Sequence, residues 1–268
     1  MITLLHIQTT CKNGRTRLDR SYASAPLKVA DITEDKSGRM LRVMLMSSSP
    51  GVLDGDEYRL QIEVADGCSL QLETQSYQRL FSMQKGAVQH LDVQIGNNAT
   101  FCYLPHPLVP HANANYYSHS KIVLAKNSTL ALGEVITCGR KLNGEQFQFT
   151  RLHIVTEVYQ NSRLVLKDNL LLQPLHQNVL AIGLWEQYTH QANFIFFNER
   201  CDAEKLLVQI HELLELQSDI MFGITAAPVN GIILRILGNK SEQLFKCVQQ
   251  VACLLLASVN AKAILHAR

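Results

Sequence analysis

A pattern that repeats about every thirty residues constrains the fold of this chain more than any other feature of its sequence. Four segments align without gaps. Each begins with Gly or Asn and enters, two residues later, an alternating apolar run; they are residues 67–72, 98–103, 127–132 and 161–166. Another alternating run precedes each segment. Because Gly and Asn tolerate positive φ, each unit predicts a strand, a tight corner and a second strand.

The regular spacing of these units favours stacked coils. The four segments begin 31, 29 and 34 residues apart, and periods of this length are typical of solenoids. We therefore predict a mainly-β chain, a β-solenoid or β-helix-like stack of short strands. In it Leu70, Phe101, Leu130 and Leu164 should occupy equivalent inward positions. A meander of hairpins in an antiparallel sandwich is the alternative.

The last third of the chain follows a different pattern. We expect residues 1–174 to form the solenoid body and residues 175–268 to form a small C-terminal α+β subdomain with two helices. We expect this subdomain to be continuous with the body and to cover one end of the stack. The expected elements are a helix capped by Asp202, strands at 219–225 and 231–237, and a helix at 241–262. Apolar residues surround more than one side of that second helix, which leaves two readings open: one face on a helical partner, or burial within the subdomain.

Composition excludes several classes of partner. A net charge of +2 in 268 residues is too small to predict binding to nucleic acid or to a membrane surface. The longest apolar run, residues 251–259, is about half the length that spans a bilayer. Seven widely spaced cysteines with no C-x-x-C pair, and a start without a signal-peptide pattern, predict a reducing, cytoplasmic location.

A proline-rich segment, YLPHPLVPH at residues 103–111, carries two histidines. Its prolines fix φ and exclude a helix, so the imidazoles of His106 and His111 should hang from a stiff loop. Neutral imidazole is a ligand for several transition-metal ions, which makes a transient metal contact one interpretation. A structured corner whose histidines bond to backbone is the other.

Two further segments could carry chemistry but have simpler explanations. Cys138 beside Arg140 would need a base to act as a nucleophile, and no cysteine-hydrolase signature is present, so a buried thiol is favoured. We expect Arg140, Lys141 and Glu145 to form a turn and a surface network around Asn143-Gly144, the strongest hairpin signal in the chain. The acidic residues 54–57 suggest either a hard-cation site or a turn that starts a strand.

Three blocks of sequence carry a resemblance to a known family. Residues 49–58 (SPGVLDGDEY), 72–87 (LETQSYQRLFSMQKGA) and 103–149 resemble the urease accessory proteins of the UreD/UreH type, with the spacing between blocks intact from about residue 48 to 174. The resemblance implies a β-helix-like, non-catalytic scaffold that helps load nickel into apo-urease. It would bridge apo-urease and a helical urease accessory protein that carries a GTPase accessory protein, with a homodimer of the complex possible.

The same resemblance implies how nickel is handled. Ni(II) would be bound only transiently, with no tightly bound cofactor, and would travel through a water-filled passage lined by carboxylates. The acidic residues in the matching segments are Asp54, Asp56, Glu73, Glu134, Glu145 and Asp168. Gln75 and Arg79 lie in one of the best-matched blocks and are expected, with Cys138 and Arg140, to fix structure or contact partners.

Two function classes follow from these observations. The first is the urease maturation scaffold; this chain lacks a glycine-rich phosphate loop, so another protein must bind GTP. The second is a β-solenoid enzyme that processes a carbohydrate or acyl substrate with His106 or His111 as base. A single tryptophan, Trp185, and 7% aromatic residues disfavour a sugar cleft. We therefore predict that the chain is not an enzyme.

Overall fold

The computed structural model describes residues 1–35 and 38–265. The elements in that part of the chain are β1 (Ile2–Lys12), β2 (Arg15–Ala23), β3 (Leu27–Asp31), β4 (Met40–Ser47), β5 (Glu57–Val64), β6 (Ser69–Thr74), β7 (Gln78–Leu80), β8 (Ala87–Ile95), β9 (Thr100–Leu104), β10 (Leu108–Pro110), β11 (Asn115–Leu124), β12 (Thr129–Thr137), a 3₁₀ turn (Lys141–Asn143), β13 (Arg151–Gln160), β14 (Arg163–Leu172), β15 (His190–Asn198), α1 (Ala203–Glu215), β16 (Ile220–Ala227), β17 (Gly231–Gly238) and α2 (Ser241–Leu265).

The strands form two large sheets. Sheet A has the order β14-β13-β11-β8-β5-β1-β2, and sheet B has the order β16-β17-β15-β12-β9-β6-β4-β3, with β7 and β10 attached beside it. From β4 to β13 the long strands alternate between the sheets, and neighbours within each sheet run parallel. The thirty-residue period of the sequence is therefore the step from one strand to its neighbour in the same sheet.

Three of the four aligned segments stack as predicted. Leu70 pairs with Phe101 and Phe101 with Leu130, in β6, β9 and β12, and all three side chains are fully buried. The residues that open these segments, Gly67, Asn98 and Asn127, all have positive φ, between 53° and 68°. The corner chemistry of the repeat is confirmed at these three positions.

The fourth segment does not follow the repeat, and Leu164 is a wrong prediction. Both Asn161 and Ser162 have positive φ (50° and 60°), which is the conformation of a two-residue hairpin turn. Strand β14 therefore folds back antiparallel on β13 within sheet A, and Leu164 is 42% exposed. Phe197 of the antiparallel strand β15 pairs with Leu130 instead.

The mainly-β class with two helices is confirmed, but the β-solenoid is not. The parallel centre of each sheet is flanked by antiparallel strands, such as β2 and β14 in sheet A and β16 in sheet B, and neither sheet closes on itself. An antiparallel meander does not describe the parallel centre either. The apolar side chains between the two sheets form the larger core.

Both helices pack on the outer face of sheet B and enclose a second core. Helix α1 begins after Asp202, whose side chain accepts a hydrogen bond from the backbone N–H of Lys205 (3.2 Å) as predicted. The apolar side chains of α2 that face sheet B are buried, whereas Lys246, Gln249 and Gln250 are exposed. The described part of α2 therefore favours burial of its apolar side chains against sheet B and α1 over a second apolar face for a partner.

Gly133 of β12 allows α2 to approach sheet B closely. A Cβ atom at this position would lie 2.7 Å from Cγ1 of Val248 and 2.8 Å from Cδ2 of Leu104. A residue with a side chain would overlap these atoms. No helix in the described residues is long and apolar enough to cross a membrane.

The turn predicted around Asn143-Gly144 is present, but it does not join a hairpin, as the dipeptide signal suggested. Residues Lys141–Asn143 form a 3₁₀ turn that ends at Gly144, whose φ is 80°. The flanking strands β12 and β13 belong to different sheets and so cannot pair as a hairpin. The loop is closed instead by the backbone N–H of Phe147, which donates to the carbonyl of Cys138 (2.7 Å).

Candidate functional site

Two adjoining cavities lie among the inward-facing side chains of the two sheets. The outer cavity has a volume of about 110 Å³ and is lined in part by residues 45–47 and 49–52. The inner cavity has a volume of about 70 Å³ and is lined in part by Glu134 and Asp168. They share five lining residues, which are Gln78, Gln89, Tyr103, Pro105 and His106. The two cavities are therefore adjacent, and together they are called the passage.

The inner part of the passage is polar on both walls. On sheet A, Ser120, Thr156 and Asp168 pair across three neighbouring strands and lie side by side. On sheet B, Glu134 pairs with Asn193 of β15. Hydroxyl, amide and carboxylate oxygens thus line this part of the region between the sheets, whereas apolar side chains fill the rest of that region.

The carboxylate of Glu134 has the most perturbed environment in the passage. Burial, and then the negative charge of Asp168, raise the pKa of Glu134 to about 7, and the amide of Asn193 offsets part of this. Asp168 itself forms an ion pair with the exposed guanidinium of Arg235 on β17. The two carboxylates therefore lie close together, with a cationic side chain bound to one of them at the protein surface.

His106 lies where the two cavities join. Its backbone N–H donates to Oγ1 of Thr74 (2.8 Å), and its Nδ1 is 3.2 Å from the same oxygen. The imidazole ring also packs against Phe245 of α2, with 4.9 Å between ring centroids. The position of this ring is consequently coupled to helix α2 as well as to the proline-rich segment.

His111, in contrast, lies outside the passage. It is buried against Phe81, with ring centroids 4.8 Å apart, and its backbone N–H donates to the carbonyl of Leu80 (2.9 Å). Burial, followed by the positive charge of Arg140, lowers the pKa of His111. The ring is thus held as a neutral group in a packed corner.

Four of the six acidic residues singled out by the sequence do not line the cavities. Oδ1 of Asp54 accepts three backbone N–H groups, from residues 84–86 at 2.8–3.0 Å. Desolvation raises the pKa of this carboxyl, but the three hydrogen bonds together outweigh it, so the pKa is lowered. Asp56 is buried and accepts the backbone N–H of Leu53 (2.9 Å). Glu73 pairs with Arg42. Only Glu134 and Asp168 face the passage.

Glu145 is paired with Arg140, and this contact lowers the pKa of its carboxyl. The other site residues that the sequence predicted do not lie together in the structure. Gln75 lines the outer cavity, whereas Arg79 is exposed on β7. Cys138 is completely buried, and burial raises the pKa of its thiol. The network of Arg140 and Glu145 predicted from the sequence is present, and Cys138 is a core residue.

Sequence reasoning missed most of the neutral lining of the passage. The missed residues are Gln78, Gln89, Tyr103, Ser118, Ser120, Thr156 and Asn193. A usable signal was present in the alternation of the strands. In β12 the inward positions are 130, 132, 134 and 136, so the carboxylate of Glu134 shares a face with Leu130 and Ile136, which belong to the inter-sheet core.

The described residues contain no group of three or more His, Cys, Asp or Glu side chains placed to hold a metal ion. The Glu134–Asp168 pair is the densest negative charge in the passage. Two carboxylates with surrounding hydroxyl and amide oxygens suit a weakly held, partly hydrated cation rather than a tight metal centre.

Comparison with known proteins identifies the family. The family model described as UreD urease accessory protein matches residues 3–267 of this chain. The chain belongs to the UreD family of urease accessory proteins. Members of this family are accessory proteins and not enzymes, so the alternative of a carbohydrate- or acyl-processing enzyme that uses His106 or His111 is wrong.

Relatives in the UreD family are similar over nearly their full length. The urease accessory protein UreD of Flavobacterium johnsoniae is 42% identical over 252 residues, which cover 94% of this chain and 91% of that protein. The UreD protein of Acetivibrio thermocellus is 34% identical, covering 90% and 92%. The UreD protein of Actinobacillus pleuropneumoniae serotype 3 is 29% identical, covering 92% and 94%. These matches support a role in urease maturation.

Proposed function

We propose that this chain is a cytoplasmic urease maturation scaffold that bridges apo-urease and the other accessory proteins and lets Ni²⁺ travel through the passage between its sheets. The observation that carries the proposal is the pair of carboxylates, Glu134 and Asp168, on opposite walls of a polar space within an otherwise apolar core. Membership of the UreD family of urease accessory proteins supports urease as the client, and the nickel cargo is part of the proposal.

The lining of the passage suits transit better than storage. A dication that enters a protein loses part of its hydration shell, and oxygen ligands and nearby negative charge offset that loss. Ser118, Ser120 and Thr156 offer neutral oxygens, and Glu134 and Asp168 offer charge. Because Glu134 has a pKa of about 7, an approaching cation would displace a proton that is easily released.

Partner binding is the second part of the proposal. The segment between β14 and β15 exposes large apolar side chains, which are Leu175, Leu180, Ile182 and Leu184. Exposed apolar clusters are typical of protein–protein interfaces. In the proposed complex one face of the scaffold contacts apo-urease and another contacts the helical accessory protein, which in turn carries the GTPase.

The proposal is tested by urease activation in cells that co-express the urease subunits and all accessory proteins. We expect Glu134→Gln and Asp168→Asn each to lower nickel-dependent urease activity roughly two- to fivefold, and the double variant to lower it further, since each carboxylate contributes part of the cation stabilisation. Ser120→Leu should lower activation without removing a charge, because a larger apolar side chain narrows the inner cavity.

Matched controls come from carboxylates outside the passage. Glu73→Gln and Glu145→Gln should leave activation unchanged, and a pull-down with apo-urease and the accessory proteins should recover every variant equally. If the Glu134→Gln/Asp168→Asn double variant and the Ser120→Leu variant each activate urease fully, the proposal of nickel transit is overturned. Loss of the complex in the pull-down, with the same variants, would instead assign these residues to assembly.

A further inference from the structure

Sheet B is interrupted beside the passage. Strands β6 and β9 pair with each other, and so do β7 and β10, but the segments 75–77 and 105–107 that connect them belong to no strand. Pro105 and Pro107 lack the backbone N–H that a sheet ladder needs. Residues of both segments line the outer cavity. Two neighbouring strands are therefore broken at the same level, and we call this gap in the wall of the passage the breach.

A third cavity lies on the other side of the breach. It has a volume of about 540 Å³ and is lined in part by the exposed residues Arg140, Leu142 and Glu242, so we call it the surface cavity. Within the described part of the chain, Tyr77 is the one residue that lines both the surface cavity and the outer cavity of the passage. The side chain of Tyr77 therefore separates the passage from the surface cavity.

Helix α2 holds the phenol of Tyr77 in this position. Its hydroxyl donates to Oε1 of Glu242 and lies 3.0 Å from Oγ of Ser241. Because the Tyr77 proton is used in the first contact, the Ser241 hydroxyl donates in the second. Burial, followed by the hydrogen bond to Glu242, raises the pKa of Tyr77, so this hydroxyl stays protonated and remains a donor. The first turn of α2 thus binds the phenol through two neighbouring residues.

The same face of α2 holds a second ring at the breach. Phe245, one helical turn after Ser241, packs against the imidazole of His106, with 4.9 Å between ring centroids. The rings of His106 and Tyr77 are themselves 6.2 Å apart. His106 lines both cavities of the passage. Both rings that border the breach are therefore fixed by one face of α2.

We propose that Tyr77 is a gate between the passage and the surface cavity, and that the first turn of α2 holds this gate shut. The breach is then one mouth of the passage. Rotation of the phenol to another side-chain rotamer breaks its two contacts with α2 and joins the cavities, while the strands of both sheets keep their positions. The functional meaning of the gate rests on the proposed nickel transit, because the gate would control when a cation enters or leaves.

The experiment measures entry into the passage with a cationic thiol reagent, 2-aminoethyl methanethiosulfonate, and needs neither nickel nor urease. Ser120→Cys places a thiol on the wall of the inner cavity, and peptide mass spectrometry follows its modification in the purified full-length chain. Tyr77→Ala in this background should raise the modification rate roughly tenfold or more, because the partition is removed. Tyr77→Phe should raise it roughly threefold, because the ring remains but loses its hydrogen bonds to α2.

The chain offers a matched control for the lost hydroxyl. The hydroxyl of Tyr159 also donates to a glutamate, Glu157 (3.1 Å), but Tyr159 lines neither cavity of the passage. Tyr159→Phe should therefore leave the rate at position 120 unchanged. The native thiols of Cys102 and Cys247 are each 1% exposed, in the core between sheet B and the helices, and they report on general loosening of the fold.

Faster modification at position 120, with unchanged rates at Cys102 and Cys247, would support the gate. An unchanged rate at position 120 in Tyr77→Ala, or an equal rise at Cys102 and Cys247, would overturn it. Nickel transit is measured separately, by urease activation with the Glu134 and Asp168 variants. Its failure would leave the labelling result intact, so the two proposals fail independently.

Discussion

The two faces of strand β12 show how one strand can serve two different environments. On the helix side, Gly133 and Val135 meet α2 with no room for an added Cβ at Gly133, and the surrounding core is apolar. On the passage side, Glu134 faces Asp168 across a cavity. We call the helix side of sheet B, with the core that it shares with α1 and α2, the sealed layer, and the side that lines the cavities the passage layer. A polar or larger side chain in the sealed layer should destabilise the fold, whereas the passage layer contains polar groups that lower its stability.

The largest effect should come from the sealed layer. Phe194 of β15 is 1% exposed and packs between sheet B and the helices. Phe194→Ala should lower the free energy of unfolding by about 3–5 kcal/mol, since it removes apolar contacts and leaves a cavity. Urea denaturation followed by circular dichroism measures this. The matched change on the passage side, Ser120→Ala, should cost less than about 1 kcal/mol; equal costs would remove the distinction between the layers.

An intermediate effect, with the opposite sign, is expected at Glu134. Its pKa of about 7 in the folded chain lies above the ordinary value of about 4.3, so between these pH values the folded state binds a proton that the unfolded state has lost. The unfolding free energy therefore falls as pH rises through this window. Glu134→Gln should remove the cost and stabilise the chain by about 2 kcal/mol at pH 8.

Urea denaturation at pH 8 and at pH 4.5 measures the difference, which should be close to zero at the lower pH. The full difference between a pKa of about 7 and one of about 4.3 would give about 3.7 kcal/mol at about 1.36 kcal/mol per pKa unit, and the partial solvent contact of Glu134 reduces it. Glu145→Gln is the control, because its carboxyl has a lowered pKa and pairs with Arg140. If Glu134→Gln lowers the free energy of unfolding at pH 8, the buried charge of Glu134 does not destabilise the folded chain.

The smallest effect is expected at the surface end of the passage. Arg235 is 56% exposed and pairs with Asp168. Exposed ion pairs contribute about 0–1 kcal/mol, so Arg235→Gln should change the unfolding free energy by less than about 1 kcal/mol. Removal of the positive charge should however raise the pKa of Glu134, which ¹³C NMR of its carboxyl measures. An unchanged pKa would place Arg235 outside the electrostatics of the passage.

The sequence repeat correctly predicted the corners at Gly67, Asn98 and Asn127. It failed at Asn161, where the same dipeptide as at Asn127 adopts a different structure. Asn127-Ser128 and Asn161-Ser162 are the same dipeptide before a similar run. The first makes a corner between sheets and the second makes a hairpin within sheet A, in which both residues have positive φ. The dipeptide alone does not separate the two outcomes, because the strand after the first pairs in sheet B and the strand after the second pairs in sheet A.

Local sequence also explains why only some of the acidic residues that face the passage could be predicted. Glu134 could have been separated from the others by its inward position in β12, because strand alternation is a local property. Asp168 faces the passage only because β14 pairs with β13, which the repeat did not predict. Asp54 is fixed by backbone N–H groups thirty residues away, and a local pattern gives no indication of such a contact.

The alternation of successive strands between the two sheets has a consequence for how such a protein can change in evolution. One thirty-residue unit supplies a strand to each sheet, so its loss or duplication alters both walls together and keeps them matched. Each added unit would extend the stack by one strand spacing, about 4.8 Å. Half a unit would leave one wall longer than the other and expose the edge of a sheet. Length variation among relatives is therefore expected in whole units or in the loops that join them.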